Sequence, residues 1–107
     1  MTASKLAAGV ARNTHWAGVT SAGTVFKQTG GISGSLTATG TYDLIFPSGL
    51  NLNTGCTNLA SGVDGTNILQ TIDGPRFGAP SNLLRVRVFD VAGNLVNAGF
   101  EVAVICL

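Results

Sequence analysis

From Phe100 to Leu107 the chain reads Phe-Glu-Val-Ala-Val-Ile-Cys-Leu, and Glu101 is the one charge in it. The period of two that a β-strand imposes sorts these residues into two rows. Phe100, Val102, Val104 and Cys106 face one way, and Ala103, Ile105 and Leu107 face the other. Both rows are apolar, so a sheet packed on one side only would leave one of them in water. The second row asks for a cover, and another copy of the chain is the cover this reading favours. Just upstream, Leu84, Val86 and Val88 alternate with Arg85, Arg87 and Phe89, and Asp90-Val91-Ala92-Gly93-Asn94 separates the two stretches. That spacing predicts a β-hairpin built from the last two strands.

The rest of the chain carries the same rhythm. Thr, Val, Ile and Gly dominate, with turn residues every several positions, and no helical periodicity occurs beyond the first dozen residues. Strands are predicted near 16–20, 24–28, 32–38, 41–46, 56–61, 67–72, 83–90 and 99–106. Ser21-Ala22-Gly23 closes a tight hairpin, Thr29-Gly30-Gly31 breaks the next pair, and Pro47 ends the fourth strand because it has no N–H to give a ladder. Asp64-Gly65 and Asp73-Gly74-Pro75 read as further turns. The class is all-β, a single antiparallel β-sandwich or jelly-roll-like domain over residues 15–107, preceded by an N-terminal arm at residues 1–14.

Composition narrows the function classes. At 107 residues the chain is one domain. Charged residues make up 10% and hydrophobic residues 45%, with a mean hydropathy of +0.38. A soluble monomer normally carries more surface charge. No run of about 18 apolar residues exists, so a membrane-spanning helix is excluded. An oligomer with a Ser/Thr/Asn-rich wet surface fits both facts. The net charge is +1, and the six basic residues are scattered, so the clustered footprint of a nucleic-acid binder is missing. The apolar stretch from Leu6 to Ala11 is short for a signal-peptide core and is ended by Arg12. Three readings stay open: a route other than general export, a mature form, or a virion protein.

The order of landmarks carries a resemblance. Trp16-Ala17-Gly18-Val19-Thr20 is followed by Gly40-Thr41-Tyr42-Asp43-Leu44-Ile45-Phe46 and Cys56. Then come Val86-Arg87-Val88-Phe89-Asp90, Ala92-Gly93 and the closing Phe100–Cys106 run. Over residues 15–107 this resembles a small Gly-rich β module of bacterial, especially actinobacterial, surface or secreted proteins and of phage tail-fibre-like proteins. More distantly, Gly40-Thr41-Tyr42 entering an apolar strand is similar to trimeric jelly rolls of the tumour-necrosis-factor type. The resemblance implies a trimer and carries no catalytic residues. It also places both cysteines, Cys56 and Cys106, where a bridge would join two strands. Two small buried thiols are the alternative.

Chemistry-bearing residues are few. His15 is the sole histidine, and no nucleophile-elbow pattern accompanies it. Zinc wants clustered Cys and His, the five acids form no paired set, and Asp64-Gly65-Thr66-Asn67 lacks the full ligand series of a calcium loop. No catalytic residue, metal or cofactor is therefore assigned. Trp16 is read as a core or interface anchor over a sugar-stacking platform. Arg76 and Phe77, in the irregular loop 74–82, are the candidate partner-binding pair. Ala103, Ile105, Leu107 and Trp16 are the candidate oligomer interface. The leading expectation is a non-enzymatic structural and recognition module that assembles with itself in a phage virion or on a bacterial surface. A carbohydrate-binding module, with Trp16, Tyr42 or Phe77 exposed in a groove, is the alternative.

Overall fold

The computed structural model describes residues 14–63, 67–73 and 80–107, with residues 70–73 described by their backbone alone. Eight strands account for most of them: β1 (Thr14–Val19), β2 (Val25–Gln28), β3 (Ser33–Ala38), β4 (Thr41–Ile45), β5 (Cys56–Gly62), β6 (Ile68–Asp73), β7 (Leu83–Phe89) and β8 (Phe100–Cys106). They form two four-stranded antiparallel sheets, ordered β2-β1-β8-β5 and β3-β4-β7-β6. No helix occurs among the described residues. The fold is a β-sandwich.

The inner faces follow from the alternation. Ala17 and Val19 on β1, with Phe100, Val102 and Val104 on β8, point inward from the first sheet. Tyr42 and Leu44 on β4, with Leu84, Val86 and Val88 on β7, point inward from the second. Tyr42 and Phe100 meet edge to face across the layers, ring centres 4.9 Å apart. Phe46 and Leu52, from the long link between β4 and β5, complete the core.

The hairpin expected from the last two strands does not form. β7 pairs with β4 and β6, whereas β8 pairs with β1 and β5, so the two lie in different sheets. The turn chemistry itself is present. Asp90 Oδ1 accepts the N–H groups of Ala92 and Asn94, both at 2.9 Å, and Leu95 bridges back to Phe89. Val96 still donates to Val88 O at 3.0 Å. Then the chain leaves, because both edges of β7 are taken and none is left for a returning strand. Polar groups of the β3–β4 turn hold the departing segment. Gly40 N–H donates to Asn97 Oδ1 at 2.7 Å, and Ala98 N–H donates to the Tyr42 hydroxyl at 3.1 Å. Gly40 is required there. Its φ is +64°, and a Cβ would sit 2.8 Å from both Val88 O and Val96 N.

Tyr42 also ties the sheets together. Its side chain is fully buried, and its hydroxyl donates to Ser21 O, in the β1–β2 turn of the opposite sheet, at 2.8 Å. Burial pushes its pKa above the usual 10.0, and the bond from Ala98 pulls part of the way back. At one end of the first sheet, Cys56 and Cys106 stand opposite each other on β5 and β8 and form a disulfide.

Candidate functional site

The outer face of the first sheet is built by three strands in register. Trp16 on β1, Ala103 on β8 and Leu59 on β5 lie in one row across the sheet. Thr14, Ile105 and Thr57 form the row on one side, and Gly18, Glu101 and Ser61 the row on the other. Neighbouring strands sit about 4.8 Å apart, so Trp16 and Leu59 flank Ala103 across roughly 10 Å. The small alanine makes a floor and the two large side chains make walls. The result is an open depression of ≈ 330 Å³ lined by these three residues with Ser61 and Glu101 at one end. Trp16 is 41% exposed, Ile105 47% and Leu59 53%.

One end of this face is closed by a β-bulge. Gly18 pairs with Lys27 while Val19 pairs with Val25, so Phe26 is the extra residue and shares the outer side with Lys27. A Cβ at Gly18 would lie 2.7 Å from Lys27 Cε and 2.8 Å from Phe26 Cζ. The glycine is thus the space into which both side chains fold. Lys27 Nζ reaches Glu101 Oε2 at 2.8 Å and lies 5.5 Å from the centre of the Phe26 ring.

The outer face of the second sheet differs in kind. Ser35, Asp43 and Arg85 share a row, and Thr41 stands beside Arg87 in the next. Arg85 grips Asp43 with two bonds, Nε to Oδ1 at 2.8 Å and Nη2 to Oδ2 at 3.0 Å. That hydrogen bonding raises the Arg85 pKa further above its usual value, against a smaller opposing effect of desolvation. Ile45 and Leu83 form one apolar pair on this face, both half-buried, and Ile68, 59% exposed, forms a second with Phe89 at the β6 edge.

The sequence-predicted interface residues Trp16, Ala103 and Ile105 are brought together on one surface, and Leu107 extends the same row beyond β8. Leu107 is fully exposed, with its N–H bonded to Gly55 O at 2.7 Å. Leu59, opposite Ala103 on β5, joins this surface although the sequence did not single it out. Tyr42 offers no stacking surface for a sugar, because it is in the core. His15 is on the inward-facing parity of β1, opposite Val104. No group of three or more His, Cys, Asp or Glu able to hold a metal occurs among the described residues. Arg76 and Phe77, the turns at Asp64-Gly65 and Gly74-Pro75, and residues 1–13 of the arm lie outside the described residues. The loop Asn51–Thr54 is exposed apart from Leu52 and is shaped by Asn51 Oδ1 accepting Asn53 N–H at 3.0 Å. Comparison with family models, curated proteins and solved structures found no match.

Proposed function

We propose that this chain is a non-enzymatic structural and recognition module that assembles with itself through the outer face of the β2-β1-β8-β5 sheet. One observation carries the reading. Trp16, Leu59 and Ile105, three large apolar side chains from three adjacent strands, stand half exposed together on one surface, while the outer face of the other sheet centres on an ion pair and has a single comparably exposed large apolar side chain among the described residues, Ile68 on its edge strand. Contiguous apolar surface of this kind marks an interaction site far more often than scattered exposed residues do. Burying it against a second copy removes the apolar cover problem and uses the low charge of the chain. The disulfide supports an oxidising setting, such as a virion or the outside of a cell.

Light scattering coupled to size exclusion tests the reading at micromolar concentration. More than one copy per particle supports it, and three is the number the family resemblance implies. Ile105→Lys, which sets a charge in the middle of the face, is expected to lower the copy number. A wild-type monomer at this concentration overturns the proposal.

The carbohydrate-binding alternative draws on a different observation: Trp16 borders a depression with a hydroxyl, Ser61, and a carboxylate, Glu101, at one end. A pyranose ring offers an apolar face to indole and hydroxyls to such groups. A glycan array reads this directly. Binding that Trp16→Ala abolishes supports it, and an array without hits removes it.

A further inference from the structure

Building on the self-assembly reading above, we infer that the outer face of the β2-β1-β8-β5 sheet packs on the same face of a second copy about a two-fold axis. The axis lies between the two faces, runs across the strands and passes midway between Ala103 and Ile105. Two neighbouring rows of side chains carry this. Trp16, Ala103 and Leu59 read large, small, large across β1, β8 and β5. Thr14, Ile105 and Thr57, the next row along, read small, large, small. Each row is hollow where the other rises. Ile105, 47% exposed, stands two residues along β8 from Ala103, the floor of the ≈ 330 Å³ depression walled by Trp16 and Leu59. The face therefore carries both a projecting side chain and a hollow to receive one.

An axis in that position lays each row on its complement. The two β8 strands run antiparallel, one over the other. Ile105 enters the hollow at the partner subunit's Ala103, and Ala103 receives the partner subunit's Ile105. Trp16 lies over the partner subunit's Thr14, and Leu59 over the partner subunit's Thr57. A two-fold interface needs this reciprocity, in which one residue meets a second and the second meets the first. Packed sheet faces lie about 10 Å apart with strands within about 30° of each other, so the fit is closest along the central strands. An axis running along β8 would instead set Ile105 on the partner subunit's Ile105. The two hollows would then face each other across a void, which close-packed surfaces avoid.

Charge and area agree with that fit. Lys27 and Glu101 are the charged side chains of this face among the described residues, and they neutralise each other at 2.8 Å within one copy. The axis sets the two ion pairs at opposite ends of the interface, about 20 Å apart at about 3.4 Å per residue, beyond the reach of exposed like charges in physiological salt. The row of Gly18, Glu101 and Ser61 meets the partner subunit's Leu107 beside the Phe26 ring and the Lys27 methylenes, which fold over Gly18. Four strands about 4.8 Å apart and about 23 Å long give a face of about 19 by 23 Å. Two copies then bury about 1,000 Å² in all, the least that a specific interface needs.

Exchanging the projection and the hollow tests this. Ala103→Ile fills the hollow, Ile105→Ala removes the side chain that enters it, and the double variant moves the large residue from one position to the other. Both positions lie on the outer face, so the core is untouched. Native mass spectrometry is expected to give two copies for the wild type, single copies for Ala103→Ile and at least tenfold weaker association for Ile105→Ala. The double variant is expected to regain two copies, because the same contact is then made from the other side of the axis. Isotope-filtered NOEs between labelled and unlabelled wild-type chains give a second readout. Contacts are expected from the Ile105 methyls to the partner subunit's Ala103, and from the Trp16 indole to the partner subunit's Thr14. Four results overturn this register and leave face-mediated assembly standing: a wild-type trimer, either single variant associating as the wild type does, a double variant that stays single, or contacts from Ile105 to the partner subunit's Ile105. A wild-type monomer overturns both.

Discussion

The two outer faces of this sandwich obey the same alternation and meet opposite fates. On the β3-β4-β7-β6 sheet, the outward positions of the central strands hold Asp43, Arg85 and Arg87, and Arg85 and Asp43 are matched in a two-point ion pair. Water is an adequate neighbour for that surface. On the β2-β1-β8-β5 sheet, the outward positions of the central strands hold Trp16, Ala103 and Ile105, and the ion pair is pushed to one end, at Lys27 and Glu101. The inner faces are alike, so the core does not explain the contrast. The contrast concerns what each outer surface is built to touch.

Four perturbations break or sharpen that difference, in falling order of size. Replacing both Cys56 and Cys106 with alanine releases β5 from β8. A bridge closing a loop of this length, with its ends 50 residues apart, is worth about 4 kcal/mol in the chain-entropy treatment. Denaturant unfolding should show a loss of that order, and hydrogen exchange should rise along β5 before it rises in β4 or β7. Equal loss of protection in both sheets would mean that the bridge stabilises the whole molecule and not one face.

Gly40→Ala strikes the link between the sheets. A left-handed conformation forced on alanine, plus the clash with Val88 and Val96 backbone, should cost about 3 kcal/mol in the same measurement. Tyr42→Phe removes a buried hydroxyl from Ser21 O and Ala98 N–H and should cost about 1–3 kcal/mol. The wild type carries a matching pH signature. The folded-state pKa of Tyr42 is raised, so its contribution is complete below the unfolded value near 10.0 and is lost as pH rises through the folded value. The melting temperature should fall above pH 10, and Tyr42→Phe should flatten that fall.

Asp43→Asn is the smallest change. It weakens a partly exposed ion pair on the polar face and should cost about 1 kcal/mol or less. It should leave the number of copies unchanged, whereas Ile105→Lys, on the other face, should alter copy number with little effect on the stability of the single subunit. If Asp43→Asn changed assembly as Ile105→Lys does, the two faces would not differ in the way described.

The strands themselves were legible because alternation and turn residues are local. The eight strands overlap the eight predicted stretches, and turn residues such as Ser21-Ala22-Gly23, Thr29-Gly30-Gly31, Pro47 and Asp90-Val91-Ala92-Gly93-Asn94 separate many of them. The partition of β7 and β8 between sheets was not legible. Asp90–Asn94 has the chemistry of a hairpin turn and uses it, but the segment after it is captured by Asn97 and Gly40, a contact spanning 57 positions. The occupancy of both edges of β7 likewise depends on β4 and β6, far away in the chain. For the candidate site, the second apolar row of β8 showed in the sequence, since Ala103 and Ile105 alternate with core residues. Leu59 did not, because Thr57, Leu59 and Ser61 read as a mostly polar row until β5 is placed beside β8. Tyr42 shows the converse: an aromatic with a hydroxyl suggests a surface, and only the positions of Ser21 and Ala98 reveal that the core satisfies it.

Trp16 is the one tryptophan in the chain, and it stands in the middle of the apolar face, so its fluorescence reports whether that face is covered. Self-assembly predicts blue-shifted emission and slow acrylamide quenching at high protein concentration, shifting to red emission and fast quenching on dilution or in Ile105→Lys. Emission typical of a water-exposed indole, unchanged from nanomolar to high micromolar protein, would contradict it.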